Sequence, residues 1–126
     1  MTNPTVDLKT ELEQLEYTKN QDEMLLSLGR DTENKSHYLD LARWGHLLIA
    51  GAGGSGRTLF LQTIICTIIK KFSSDEVRLV LIDPKKVTFS FYEQSPYLNT
   101  HIITDPKEAV DTFKTIMNEM DQRFEL

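Results

Sequence analysis

The sequence predicts a layered α/β fold with a mainly parallel sheet, and three stretches carry that prediction. His46–Ala50 is an apolar, strand-like run that enters a glycine-rich turn and then a long apolar helix from Arg57 to Lys71. Val77–Ile82 (Val-Arg-Leu-Val-Leu-Ile) is a second strand of the nearly continuous apolar kind that parallel sheets bury on both faces. An amphipathic helix then begins at Asp105. The order strand–helix–strand–strand–helix suits helices laid on the faces of a sheet.

The other elements follow from local chemistry. Residues 6–18 read as an acidic helix in which Val6, Leu8, Leu12 and Leu15 recur near helical spacing, with Glu11, Glu13 and Glu16 expected outside. On this reading residues 1–24 are an acidic lead or linker ahead of a domain at 25–126. Leu25–Leu28 and Tyr38–Leu41 read as short strands joined by a polar turn containing Gly29, Asp31 and Asn34. The 57–71 helix carries Leu59, Phe60, Leu61, Ile64, Ile65, Ile68 and Ile69, an apolar surface wider than one stripe, so packing on both sides is expected. The second strand stops at Asp83-Pro84-Lys85-Lys86, because proline lacks the N–H a ladder needs. Phe89–Glu93 reads as a short helix ended by Pro96, and His101–Ile103 as a short third strand. Asp105 is a good N-cap, Pro106 suits the first helical position, and Glu108 completes a capping box. Ala109, Phe113, Ile116, Met117, Met120 and Phe124 form a stripe expected to be core.

Composition narrows the function classes. With 126 residues, 40% hydrophobic and 26% charged, the chain is soluble globular material, a single small domain or a piece of a larger one. No apolar run reaches the length of a membrane span, and the polar start Met1–Lys9 is no signal peptide. The one cysteine, Cys66, sits in an apolar helix as a small core residue, so a reducing cytoplasm is the expected location. A net charge of −5 argues against a free-standing nucleic-acid binder. The pairs Lys70, Lys71 and Lys85, Lys86 read as solvated faces, and His37, His46 and His101 lack metal-ligand spacing. Trp44 is expected to pack, and Arg123 to face solvent.

The stretch with chemistry is Gly51-Ala52-Gly53-Gly54-Ser55-Gly56-Arg57-Thr58. Its spacing is that of a phosphate-binding P-loop between an apolar strand and an apolar helix. Wrapping a phosphate chain requires successive N–H groups to point inward, which glycine permits, and the helix start adds unpaired amides and a positive dipole end. Thr58 places a hydroxyl where the motif needs a magnesium ligand. One letter departs: Arg57 stands where lysine is usual, keeping the charge but on a planar, bulkier group. The alternative is a glycine-rich strand-to-helix turn that binds nothing.

From residue 25 onward the chain resembles the motor domain of the FtsK/SpoIIIE family of DNA translocases. The matching residues are Leu28-Gly29-Arg30-Asp31, Asp40-Leu41-Ala42-Arg43, His46-Leu47-Leu48-Ile49-Ala50-Gly51 and Gly54-Ser55-Gly56. Then come Glu76–Lys85, Tyr92-Glu93, Pro96, Thr104-Asp105-Pro106-Lys107 and Glu119-Met120-Asp121-Gln122-Arg123-Phe124. The resemblance implies a P-loop NTPase fold of the RecA-like kind, of which this chain would be a part, incomplete at its C-terminus. It implies ATP and Mg2+ as cofactors, double-stranded DNA as partner, a homo-oligomeric ring, and a role in chromosome segregation. Gly51 to Thr58 would hold the phosphates and Thr58 the magnesium.

Asp83, in Ile-Asp-Pro-Lys, would not be the Walker B aspartate, which the family carries on a later strand beyond Leu126. Phosphoryl transfer needs metal positioning, water positioning and charge neutralisation together. The expectation is therefore an ATP-binding portion of a translocase that does not hydrolyse ATP alone, with no catalytic residue of its own. Two alternatives remain open: a degenerate, non-hydrolysing docking module of the type VII secretion or conjugation kind, and an inactive truncated gene product.

Overall fold

In the computed structural model, which describes residues 7–17 and 24–125, the chain divides into two units, residues 1–73 and 74–126. The first is built on a β-hairpin. Strand β1 (Leu25–Arg30) pairs antiparallel with β2 (Ser36–Asp40), from Leu25 opposite Asp40 to Arg30 opposite Ser36. The turn between them is tied by the Asp31 carboxylate, which accepts from the amides of Glu33 at 2.9 Å and Lys35 at 3.0 Å, while Asn34 takes a left-handed φ of 64°. The register slips between Ser27 and Gly29, leaving Leu28 as an extra residue that bulges outward.

Helix α1 (Leu8–Tyr17) is capped by Asp7, which accepts from the Lys9 amide and the Thr10 hydroxyl. It packs on β1 and on helix α3 (Arg57–Lys71). Val6, Thr18 and the side chains of Leu15 and Glu16 lie outside the described residues. Glu13 is exposed as expected, but Glu11 is not: it is buried, bonded to Arg30. The physical reason is spacing, since Glu11 is three residues beyond Leu8 and one before Leu12, inside the helix's inward stripe. Leu41, expected in the second strand, opens the short helix α2 (Leu41–Trp44), because the Asp40 side chain caps the Ala42 amide.

Helix α3 has the expected bounds and packs on β1 and α1, and its buried residues are Ile65, Thr67 and Ile68. Its start is open to solvent, with Leu59 68% exposed, so packing on both sides is not seen within this unit. Cys66 is half-buried and in no disulfide among the described residues. His46–Ala50 forms no strand, and Leu48 is 92% exposed. An extended run becomes a strand only when a neighbour accepts its ladder hydrogen bonds, and within this unit β1 and β2 satisfy each other instead. Trp44, expected to pack, is exposed, with little laid over it among the described residues of this unit.

The second unit holds parallel pairing, but only as isolated bridges, Leu79 with Leu98 and Ile82 with Ile103. These stand where strands were expected at Val77–Ile82 and His101–Ile103. Leu81, Phe89, Ile103 and Ala109 form its buried apolar centre. A short 3-10 turn covers Ser90–Tyr92, and helix α4 runs Pro106–Phe124. Asp105 caps α4 through the amides of Lys107 at 2.7 Å and Glu108 at 3.3 Å. Glu108 does not close the capping box; its carboxylate meets His101 Nε2 at 2.7 Å instead. Within the unit the α4 stripe is core only at Ala109, while Phe113, Ile116, Met117, Met120 and Phe124 are exposed. Among the described residues the fold is thus a small α/β piece with a two-stranded antiparallel sheet.

Candidate functional site

The loop 51–56 leads directly into α3, as the motif requires, and every residue from Gly51 to Leu59 is exposed. Gly54 (φ 78°) and Gly56 (φ 87°) adopt left-handed backbone conformations, which cost a side-chain-bearing residue free energy that glycine avoids. Gly51 is crowded for a different reason. A Cβ there would lie 2.4 Å from Ser55 Oγ, and 3.6 Å from Arg57 Cγ, so the loop closes tightly over its own first residue. The Ser55 amide donates to the Ala52 carbonyl at 3.2 Å and pins the turn, while Gly53 supplies a further residue without a side chain.

What remains is a row of donors. The amides of Gly53, Gly54, Gly56, Arg57 and Thr58 have no acceptor among the described residues. Gly56 caps α3 without any side-chain bond, and the first turn of α3 holds no acidic residue to offset its positive dipole end. Lys70 and Lys71 close the opposite, negative end. Arg57 and Thr58 stand exposed at the helix start, with the Arg57 stem lying against Gly51. Such an arrangement is chemically suited to an anion: unpaired amides, a helix start, and one positive charge beside them.

Asp83 is placed quite differently. It is 5% exposed, and its carboxylate is enclosed by the chain that follows it. Oδ1 accepts from Lys85 N at 3.1 Å, and Oδ2 from Val87 N at 3.0 Å, Thr88 N at 2.6 Å and Phe89 N at 3.4 Å. These bonds, that from Thr88 above all, hold its carboxyl below the usual carboxylate range against the opposing effect of burial. A carboxylate so committed is a structural clasp. Lys86, at a left-handed φ of 60°, is part of the resulting turn, and Lys85 is exposed.

The three histidines are dispersed. His37 Nε2 meets Asp31 at 2.7 Å, and that bond first, then the Lys35 amide, lowers the Asp31 pKa. Arg123 is exposed and paired with Glu119 one helical turn back. The residues that sequence reasoning missed are Glu11 and Ser27, two buried polar groups beside the start of α3. The signal was available for Glu11, which interrupts the Leu8–Leu12 stripe; for Ser27 there was none.

Comparison with known proteins fits this geometry. The profile of the FtsK/SpoIIIE family matches residues 7–126. The chain is 40% identical over 108 residues to the DNA translocase FtsK of Azospirillum brasilense, covering 86% of this chain and 17% of that protein. It is 39% identical over 119 residues to the DNA translocase FtsK of Helicobacter pylori strain J99, covering 94% and 14%. With the Bacillus cereus DNA translocase FtsK it shares 37% identity over 127 residues, covering 98% and 16%. The chain therefore spans about a sixth of the length of these curated relatives.

Proposed function

Because the chain belongs to the FtsK/SpoIIIE family, whose fold is that of a P-loop NTPase, we propose that it is the ATP·Mg2+-binding portion of a DNA translocase motor. Gly51, Ala52, Gly53, Gly54, Ser55, Gly56, Arg57 and Thr58 form the phosphate site, and Thr58 ligates the magnesium ion. The observation that carries this reading is the row of unpartnered amides between Gly53 and Thr58 at the start of α3. The larger setting is a RecA-like domain with a mainly parallel sheet, assembled as a cytoplasmic ring on double-stranded DNA and serving chromosome segregation. No helix among the described residues is long and apolar enough to cross a membrane.

The chain by itself binds ATP without hydrolysing it. Arg57 brings charge to the phosphates but cannot reproduce a lysine's compact reach. The Asp83 carboxylate is occupied by four amides of the turn that follows it. A second reading, a non-hydrolysing docking module, is favoured by Arg57 alone.

Titration calorimetry with ATP, with and without magnesium, tests the proposal. Binding in the micromolar-to-millimolar range is expected, tightened by Arg57→Lys and weakened by Arg57→Ala. Equal affinity for the two variants would show that the side chain makes no phosphate contact.

A further inference from the structure

Helix α1 is attached to the first unit by a charge rather than by an apolar face. Among its described side chains Leu8 and Leu12 are only half-buried, and the one fully buried group is the carboxylate of Glu11, 1% exposed. Its Oε1 accepts from Arg30 Nε and from Ser36 Oγ at 3.3 Å, while its buried Oε2 has no hydrogen-bond partner. Arg30 is shared, because its Nη1 also donates to Asn34 Oδ1 in the hairpin turn at 3.1 Å. A buried ion pair adds little net stability, since desolvation offsets its attraction, and an oxygen left without a donor lowers the gain further. A helix of 10 residues does not sustain itself in water either. Docked α1 therefore belongs to the weakly held end of the unit.

The place where α1 docks is the start of α3. Leu8 and Glu11 line an open pocket of about 210 Å³ together with Gly56, Leu59 and Phe60, so α1 covers that helix start without filling the space over it. Glu11 is the only acidic residue lining the pocket, and Arg30 does not line it, so the compensating charge lies on the hairpin side. The first turn of α3 holds no acid of its own, and Gly56 caps it without a side-chain bond. A buried charge is screened little by salt, so Glu11 serves the positive end of α3 as a substitute acid. A phosphate arriving at the same helix start meets that carboxylate as a like charge. Two anions thus compete for one helix end.

We propose that α1 is an autoinhibitory strap: docked, it sets the Glu11 charge beside the start of α3 and weakens phosphate binding there, and released, it leaves the helix start to the incoming anion. The proposal rests on the phosphate-loop reading given above. Because coupling is reciprocal, phosphate loosens α1 by the same factor by which docked α1 weakens phosphate. A helix that merely braced α3 would couple with the opposite sign, binding and docking each strengthening the other.

Inorganic tripolyphosphate, added to the full chain, is the probe. Saturating tripolyphosphate should speed hydrogen exchange at the Leu12 and Glu13 amides of α1 by about two- to fivefold, the size of a charge effect at a helix end, and leave Ile65 and Ile68 of α3 unchanged. In titration calorimetry Glu11→Gln, which removes the charge, and Asp7→Ala, which removes the α1 cap, should each tighten tripolyphosphate binding by about the same factor. Binding by Glu11→Gln but not by the unaltered chain would support the strap in its strongest form. Tripolyphosphate that binds while α1 exchange is unchanged or slowed would overturn the strap and leave the phosphate loop standing, and this result is read on the unaltered chain, however the variants fold. Folded variants with equal or weaker affinity would overturn it as well. Binding by neither the unaltered chain nor the variants would reject the phosphate loop and the strap together.

Discussion

Two loops of this chain each present a row of backbone amides, and they differ in whether the chain itself supplies the acceptor. After Asp83, the amides of Lys85, Val87, Thr88 and Phe89 converge on a carboxylate that the chain itself supplies. Between Gly51 and Thr58, a similar number of amides has no acceptor among the described residues, and the residues that bear them are mostly glycines. The closed loop is buried around Asp83; the open one is exposed along its whole length. A cradle that fills itself confers stability and no binding. A cradle without a carboxylate of its own forgoes that stability and keeps its donors for a ligand.

Emptying the closed cradle should have the largest effect. Asp83→Ala leaves four amides without an acceptor, so exchange at Lys85, Val87, Thr88 and Phe89 should accelerate by roughly a hundredfold in hydrogen-exchange measurements. Acid makes the same change reversibly. Because the folded pKa of Asp83 lies below its unfolded value, its contribution is complete above the ordinary carboxylate range and disappears as the pH falls through the lowered value. An acid titration followed by near-ultraviolet dichroism should show that loss, and Asp83→Asn should abolish it.

Stiffening the open cradle comes next. Gly56→Ala, at a φ of 87°, should lower stability by about 1–2 kcal/mol in urea unfolding and weaken ATP binding as well. Unchanged ATP affinity would separate the loop from the ligand. Asp105→Ala probes a third anion site, the α4 cap, and should cost about 1 kcal/mol without touching nucleotide affinity. The smallest change should follow Arg123→Ala, which removes an exposed pair with Glu119 worth about 0.3–0.5 kcal/mol and leaves both cradles intact.

The contrast also explains how much of the molecule was legible in the sequence. Helix α3 and the start of α4 were read correctly because glycine at Gly56 and the Asp105-Pro106 cap are local signals, decided within a few residues. The hairpin was legible for the same reason, through Gly29, Asp31 and Asn34. Strands were read less well. Whether His46–Ala50 or Val77–Ile82 becomes a strand depends on a partner distant in the chain, and only single bridges at Leu79 and Ile82 form. Burial failed in both directions, at Glu11 inside and at Phe113 and Phe124 outside, because periodicity reveals a face but not what covers it. The backbone of the glycine loop was legible, as left-handed turns fall at Gly54 and Gly56; the pocket beside it was not, since it arises where α1, β1 and α3 meet.

The central claim is that the amides from Gly53 to Thr58 receive a nucleotide's phosphates. An 15N–1H correlation spectrum recorded during titration with ATP·Mg2+ observes those groups one by one. The resonances of Gly53, Gly54, Gly56, Arg57 and Thr58 should move together and saturate, while those of Lys85, Val87, Thr88 and Phe89 stay in place. Loop resonances that remain fixed at saturating nucleotide, or that move no more than those around Asp83, would contradict it.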